Sequence, residues 1–233
     1  MSSNKQATSK PELSFTAEQA GSAYRLLANG RPLQTPGGNP LTFPTKELAE
    51  KTAAQMAVRA LEAPFYRLMS FATDLGHDGK RPALTKELLD HFDTDLVCYY
   101  TDKPADLAAM QKENWQPIIT WAEGLGITPI LTTATTTPLT QPDTARKALQ
   151  THLERLSDKR FVVAFIGGKL ASSVLTGLAL AREHITATTA HSIAHTDELY
   201  QQRRYGADEE LAEMLKESLV FFEDLARFNH TAR

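Results

Sequence analysis

The chain has 233 residues, 42% of them hydrophobic and 23% charged, which matches soluble globular proteins and excludes wholesale disorder and fibrous architectures. A net charge of -3, with Lys and Arg scattered along the chain, removes the basic footprint of a nucleic-acid binder. The single Cys98 cannot close an intramolecular disulfide; it fits a reducing compartment and reads as a small buried hydrophobe.

Residues 1–12 (MSSNKQATSKPE) are polar and lack both the apolar core of a signal peptide and the Arg-rich pattern of a transit peptide. They read as a flexible tail on a cytoplasmic, bacterial protein; a mitochondrial matrix location applies only if a transit peptide precedes this sequence. Over 13–43, the turn formers Asn29-Gly30, Thr35-Pro36-Gly37-Gly38 and Asn39-Pro40 separate short runs such as Tyr24-Arg25-Leu26-Leu27. This pattern predicts a small antiparallel sheet with a hairpin at Asn29-Gly30. Thr45 is placed to cap a helix in which Leu48, Ala49, Thr52, Ala53 and Met56 repeat at helical spacing as far as about Glu62.

Residues 65–78 read as strand or loop, and Gly76, Gly79 and Pro82 mark a boundary. Beyond it the periodicity predicts helices over 85–92, 104–125, 143–156, 161–183, 188–205 and 208–228, five or six elements packed as a bundle. The Thr-rich stretch 128–140 suits a short strand or an extended connection. The fold class is therefore α+β: a β-rich N-terminal domain with one helix over 13–80, then a mainly helical C-terminal domain over 81–233. The longest apolar stretch, 161–181, is interrupted by Lys169 and several Gly and Ser residues, so it reads as a buried central helix and membrane insertion is not expected.

Candidate chemistry is thin. His191 and His195 with Asp197 and Glu198 stand at helical spacing and could present two imidazoles and a carboxylate, the basis of an alternative reading as a metal-dependent hydrolase using His191, His195 and Glu198. The pattern lacks the Glu that follows the first His in zinc metalloproteases. Gly167-Gly168-Lys169 lacks the spacing and the Ser or Thr of a phosphate loop, and reads as a helix break or tight turn. No Gly-x-Ser-x-Gly elbow is present, and Asp93 with Asp95 read as solvated or capping acids. No catalytic residue, metal ligand or cofactor is expected. Trp115 and Trp121, six apart on one helix, do not share a narrow stripe, so one can be core while the other faces a groove.

These segments resemble a known family. Asp93-Thr94-Asp95-Leu96-Val97-Cys98-Tyr99, followed by Leu107, Gln111, Trp115-Gln116-Pro117 and Trp121-Ala122, is similar to the central signature of the F1-ATPase assembly chaperones that act on the alpha subunit, the ATP12 type. The run from Asn29 to Leu41 resembles that family's N-terminal hairpin, and Asp197-Glu198 with Gln201 through Glu210 resembles its C-terminal motif. Departures are Gln55-Met56 where the family usually has Glu-Trp, Tyr205-Gly206 in place of Trp-Gly, and a missing Met-Pro element over 63–79.

The resemblance implies a non-enzymatic protein, monomeric when free, that binds the unassembled F1 alpha subunit and keeps it from aggregating. Mass action on an aggregation-prone intermediate suffices for this. Partner contacts are expected at Trp115, Trp121, Glu198, Gln201, Gln202, Tyr205, Asp208 and Glu210. A non-chaperone helical adaptor using the same surface is the remaining alternative.

Overall fold

The computed structural model describes residues 13–206 and 208–231; the segment 1–12, expected to be a flexible tail, lies outside them. Strands β1 (Phe15–Ala20), β2 (Ala23–Ala28), β3 (Arg31–Pro32) and β4 (Thr42–Phe43) form one antiparallel sheet in which β2 pairs with all the others. Phe15 stands opposite Ala28, Leu27 opposite Pro32 and Tyr24 opposite Phe43. The expected hairpin at Asn29-Gly30 is present, with φ of +49° and +77° at the two positions, the left-handed pair that a two-residue turn of this kind demands. Leu26 and Phe43 are fully buried beneath α1 (Lys46–Arg59), which packs across β1 and β2. Thr45 caps α1 by accepting from the Leu48 amide, and Leu48, Ala49, Thr52, Ala53 and Met56 form its buried stripe.

Residues Pro64–Asp78 form a helix, α2, so the segment 13–80 holds two helices where one was expected. Pro64 occupies the first turn, where its missing N–H costs nothing. The strand-or-loop reading is corrected by a stripe at helical spacing, Phe65, Leu68, Met69, Ala72 and Leu75, which with Tyr66 is buried against α1 and a later helix, α6 (Asp158–Leu170). From α2, Asp74 fastens the loop after β3: it accepts from Thr35 Oγ1, from the Gly37 amide at 3.1 Å and from Asn39 Nδ2 at 2.8 Å. A Cβ on Gly37 would stand 2.7 Å from the Asp74 carboxylate and push that side chain away from its hydrogen bonds to the loop.

After the boundary come α3 (Arg81–His91), α4 (Ala105–Gly124), α5 (Asp143–Glu154), α6, α7 (Val174–Ala181), α8 (Ala187–Ala194), α9 (Thr196–Tyr205) and α10 (Glu209–Thr231). Two helices expected to be continuous are each broken in two. The 161–183 element breaks at Ser172, which takes a left-handed φ of +49°, and Ser173 caps α7 by accepting from the Thr176 amide. Gly167-Gly168 is not the break; both lie inside α6. Gly177 of α7 presses on this point, where a Cβ would fall 2.4 Å from the Gly168 nitrogen and 2.3 Å from the Ala164 carbonyl oxygen. The glycines therefore permit a backbone-to-backbone helix crossing rather than a turn or a phosphate cradle. The 188–205 element breaks at His195, between α8 and α9.

Residues 128–140 run as an extended connection, tied to the helical half by a bridge between Tyr99 and Thr133, by Leu131 to Gln141 and by the buried Ile130. One hydrophobic core runs without interruption from Leu26 and Phe43 of the sheet through Phe65, Phe92 and Phe161 to Phe228. Among the described residues, no helix is long and apolar enough to cross a membrane.

Candidate functional site

The signature stretch 93–99 turns out to be internal framework. Asp93 accepts from Arg146 Nη2 at 2.6 Å and from the Gln141 amide at 2.7 Å, while the Tyr99 hydroxyl donates to the Asp93 carbonyl at 2.6 Å and accepts from the Leu139 amide at 3.0 Å. Asp95 is fully buried and accepts from the Leu175 amide at 3.1 Å and the Val97 amide at 3.3 Å. Burial pushes its carboxyl up to about 6, against the opposing pull of donors at Ser173, Leu175, Val97 and Val174. These two acids, expected at the surface or as caps, thus knot α3, α5 and α7 together; only the capping part of the expectation describes Asp95. Cys98 is buried as expected, and burial pushes its thiol up.

The seam between α4 and α9 is equally well satisfied. Trp115 is 1% exposed, donates its indole N–H to the Ile193 carbonyl at 3.0 Å and packs edge-on against Tyr100, so it is core and lines no partner surface. Gln111, also buried, accepts from the Thr101 amide at 2.7 Å and donates to Asp197 at 2.8 Å. Asp106 receives the Tyr200 hydroxyl at 2.9 Å and Arg204 Nη1 at 2.8 Å. Positions 197, 200 and 204 therefore form the inner face of α9.

The outer face of α9 is what remains. Glu198 is half-buried, Gln201 exposed and Tyr205 76% exposed, following one another at spacings of three and four residues, with half-buried Gln202 beside Gln201. Gly206, at a φ of +83°, ends α9; Asp208 accepts from the Leu211 amide at 2.8 Å at the start of α10, and Glu210 is exposed. Trp121 belongs to a different patch: half-buried on α4, it stacks on His184 with centroids 4.7 Å apart, over a shallow groove bordered by Gln116, Pro117 and Thr120. Ala109 and Glu113 of α4 border both that groove and the hollow at Asp106 and Arg204, so the two patches flank one helix.

The histidines pack α8 on α10 instead of converging on an ion. His191 Nε2 lies 2.9 Å from the Leu215 carbonyl, and His195 Nε2 lies 2.6 Å from Ser218 Oγ. Burial holds both imidazoles below their ordinary value, so they are neutral at pH 7. Glu198 approaches His195 Nδ1 only to 3.8 Å, and Asp197 faces Gln111. Among the described residues, no group of three or more His, Cys, Asp or Glu side chains is arranged to hold a metal.

Sequence reasoning missed one surface. A groove of about 640 Å³ lies between α2 and α10, floored by Leu68, Phe71, Ile166 and Leu225 and rimmed by Val220 and Phe221, each 43% exposed. The signal was present in the run Leu219-Val220-Phe221-Phe222, four consecutive apolar residues in a charged helix, of which only Phe222 falls in the fully buried stripe with Leu225 and Phe228.

Residues 7–123 match the family described as ATP12 chaperone protein. The fold is similar to the crystal structure of Atp12 from Paracoccus denitrificans, with a TM-score of 0.81 and 30% identity over 94% of this chain and 96% of that one. It is also similar to the Atu1473 protein of Agrobacterium tumefaciens, with a TM-score of 0.79 and 26% identity over 94% of this chain and 83% of that one.

Proposed function

Because this chain belongs to the ATP12 chaperone family, whose members are ATP synthase assembly chaperones, we propose that its client is the unassembled F1 alpha subunit, shielded until it joins the catalytic head. The observation that supports a client surface most directly is the division of α9: its inner residues are all engaged with α4, whereas Glu198, Gln201 and Tyr205 project outward with no comparable anchoring. An exposed aromatic beside a carboxylate and amides suits a protein partner, the ring supplying contact area and the polar groups selectivity. Trp121 over its groove offers a second contact on the flank of α4.

Binding of this kind needs no bond-making step. Occupying the sticky surface of a client lowers the concentration of free aggregation-prone chain, and release follows when the proper partner competes for that surface. In this reading the chain works in the bacterial cytoplasm and is monomeric when free. The test is co-expression with the F1 alpha subunit of the same organism: soluble alpha that co-purifies with this chain and leaves it when beta is added is the expected result. Alpha that aggregates equally with and without this chain would overturn it.

A further inference from the structure

The groove between α2 and α10 lies outside α9 and carries both exposed apolar surface and unpaired acid. Its apolar character continues past Phe71 into an adjoining hollow bordered by Leu61, which is 55% exposed. The charges around it are not balanced alike. On the α2 side Arg67 is neutralised by Glu62 at 3.0 Å, and on α10 Lys216 is neutralised by Glu213 at 3.1 Å. Glu217 has no ion pair among the described residues. Asp224 is 9% exposed, and the nearest cation paired with it, Arg227, stays 3.8 Å away because its other nitrogen is 2.5 Å from Glu223. Arg59, at the end of α1, also borders the groove without hydrogen-bonding Asp224. Burial raises the Asp224 carboxyl above its ordinary range, against the opposing pull of Arg227 and Arg59, neither of which hydrogen-bonds it.

Glu217 and Asp224 stand seven residues apart on α10, two helical turns or about 10 Å along one wall. We propose that this groove receives an amphipathic helix of the client chain, its apolar stripe seated on Phe71, Val220 and Phe221 and two basic residues, two turns apart, set against Glu217 and Asp224. The proposal rests on the chaperone reading above and adds the class of segment recognised. A helix laid into an apolar groove between two helices is a recurrent recognition mode, and acid along one wall selects a basic flank. The chain's own first 12 residues are a poor occupant, since MSSNKQATSKPE contains no run of large apolar side chains.

The test uses the full chain and a fluorescein-labelled synthetic amphipathic helix with a Leu face flanked by Lys two turns apart, alongside the same peptide with Glu in place of Lys. Fluorescence anisotropy is expected to show the Lys peptide binding, and binding at least about tenfold weaker to Phe221→Glu and to Asp224→Asn, both melting as the parent does. Equal binding of the two peptides, equal binding to parent and variants, or a concentration-dependent dimer that dissolves on Phe221→Glu would each overturn the proposal. A client arm separates its failure from that of the chaperone reading. If the parent retains soluble alpha and Phe221→Glu retains it equally, the groove proposal falls alone; if the parent retains none, the client assignment falls.

Discussion

The seam between α4 and α9 and the groove between α2 and α10 are built from similar residue types and end in opposite states. In the seam, polar groups are matched: buried Gln111 with Thr101 and Asp197, buried Trp115 with Ile193, and at the exposed edge Asp106 with Tyr200 and Arg204. In the groove, Phe221 and Val220 stand in water and Asp224 lacks a hydrogen-bonded cation. A buried polar network that is fully satisfied fixes one arrangement of helices, whereas an apolar surface with unmatched charge is left for something else to complete. The lesson concerns motifs: most of the residues by which this family is recognised build the frame, and the surfaces available for binding lie on its outer side.

The largest effect that would test the frame is expected at the helix crossing. Gly177→Ala places a Cβ 2.3 to 2.6 Å from the backbone of α6, and should cost roughly 3 kcal/mol or more, or abolish folding. Chemical denaturation checks it, with Gly167→Ala, whose Cβ would come no nearer than 3.3 Å, to Leu180 Cδ2, as the milder comparison. Equal stability of the two variants would break the claim that the crossing is the rigid centre.

Asp95 comes next. Folded, it holds its proton up to about pH 6, whereas its ordinary value is 3.8, so the stability it contributes is present below about 4 and is lost as pH rises towards 6. The advantage of the parent over Asp95→Asn should therefore shrink across that window by up to roughly 3 kcal/mol and stay flat above it. Unfolding free energies at a series of pH values check this, and a difference independent of pH would contradict it.

Gln111→Leu leaves the Thr101 amide and the Asp197 carboxylate without their partner, and a loss of about 1–3 kcal/mol is expected from thermal melts. Smallest is Glu198→Lys on the outer face, which should shift stability by no more than about 0.5 kcal/mol while removing client retention in a pull-down. A marked drop in melting temperature would move Glu198 from the binding surface into the frame and blur the contrast between inner and outer faces.

What the sequence disclosed follows from where a residue's signal is local. The Asn29-Gly30 turn, the Thr45 cap and the span of α4 depend on neighbours within a few positions, and the structure has them as read. The helical state of 64–78 was legible in the spacing of Phe65, Leu68, Met69, Ala72 and Leu75, but Gly76, Gly79 and Pro82 drew the reading towards a boundary, although Gly76 lies inside α2 and Gly79 only ends it. The breaks at Ser172 and His195 carry no Gly or Pro; tertiary contacts impose them, such as the Ser172 carbonyl accepting from the Leu96 amide at 2.8 Å. For the site, spacing showed that Trp115 and Trp121 part company but not which one turns inward, a choice made by the Ile193 carbonyl and His184. Outward projection of Glu198 and Tyr205 became visible only with α4 in place against the other side of α9.

The most direct test of the central claim, that binding lies outside the frame, is hydrogen–deuterium exchange on this chain alone and in complex with the alpha subunit. Added protection is expected over 198–205 and 213–225, with the signature stretch 93–99 unchanged. Protection confined to the sheet over 15–43, with 198–205 and 213–225 exchanging as in the free chain, would contradict the account.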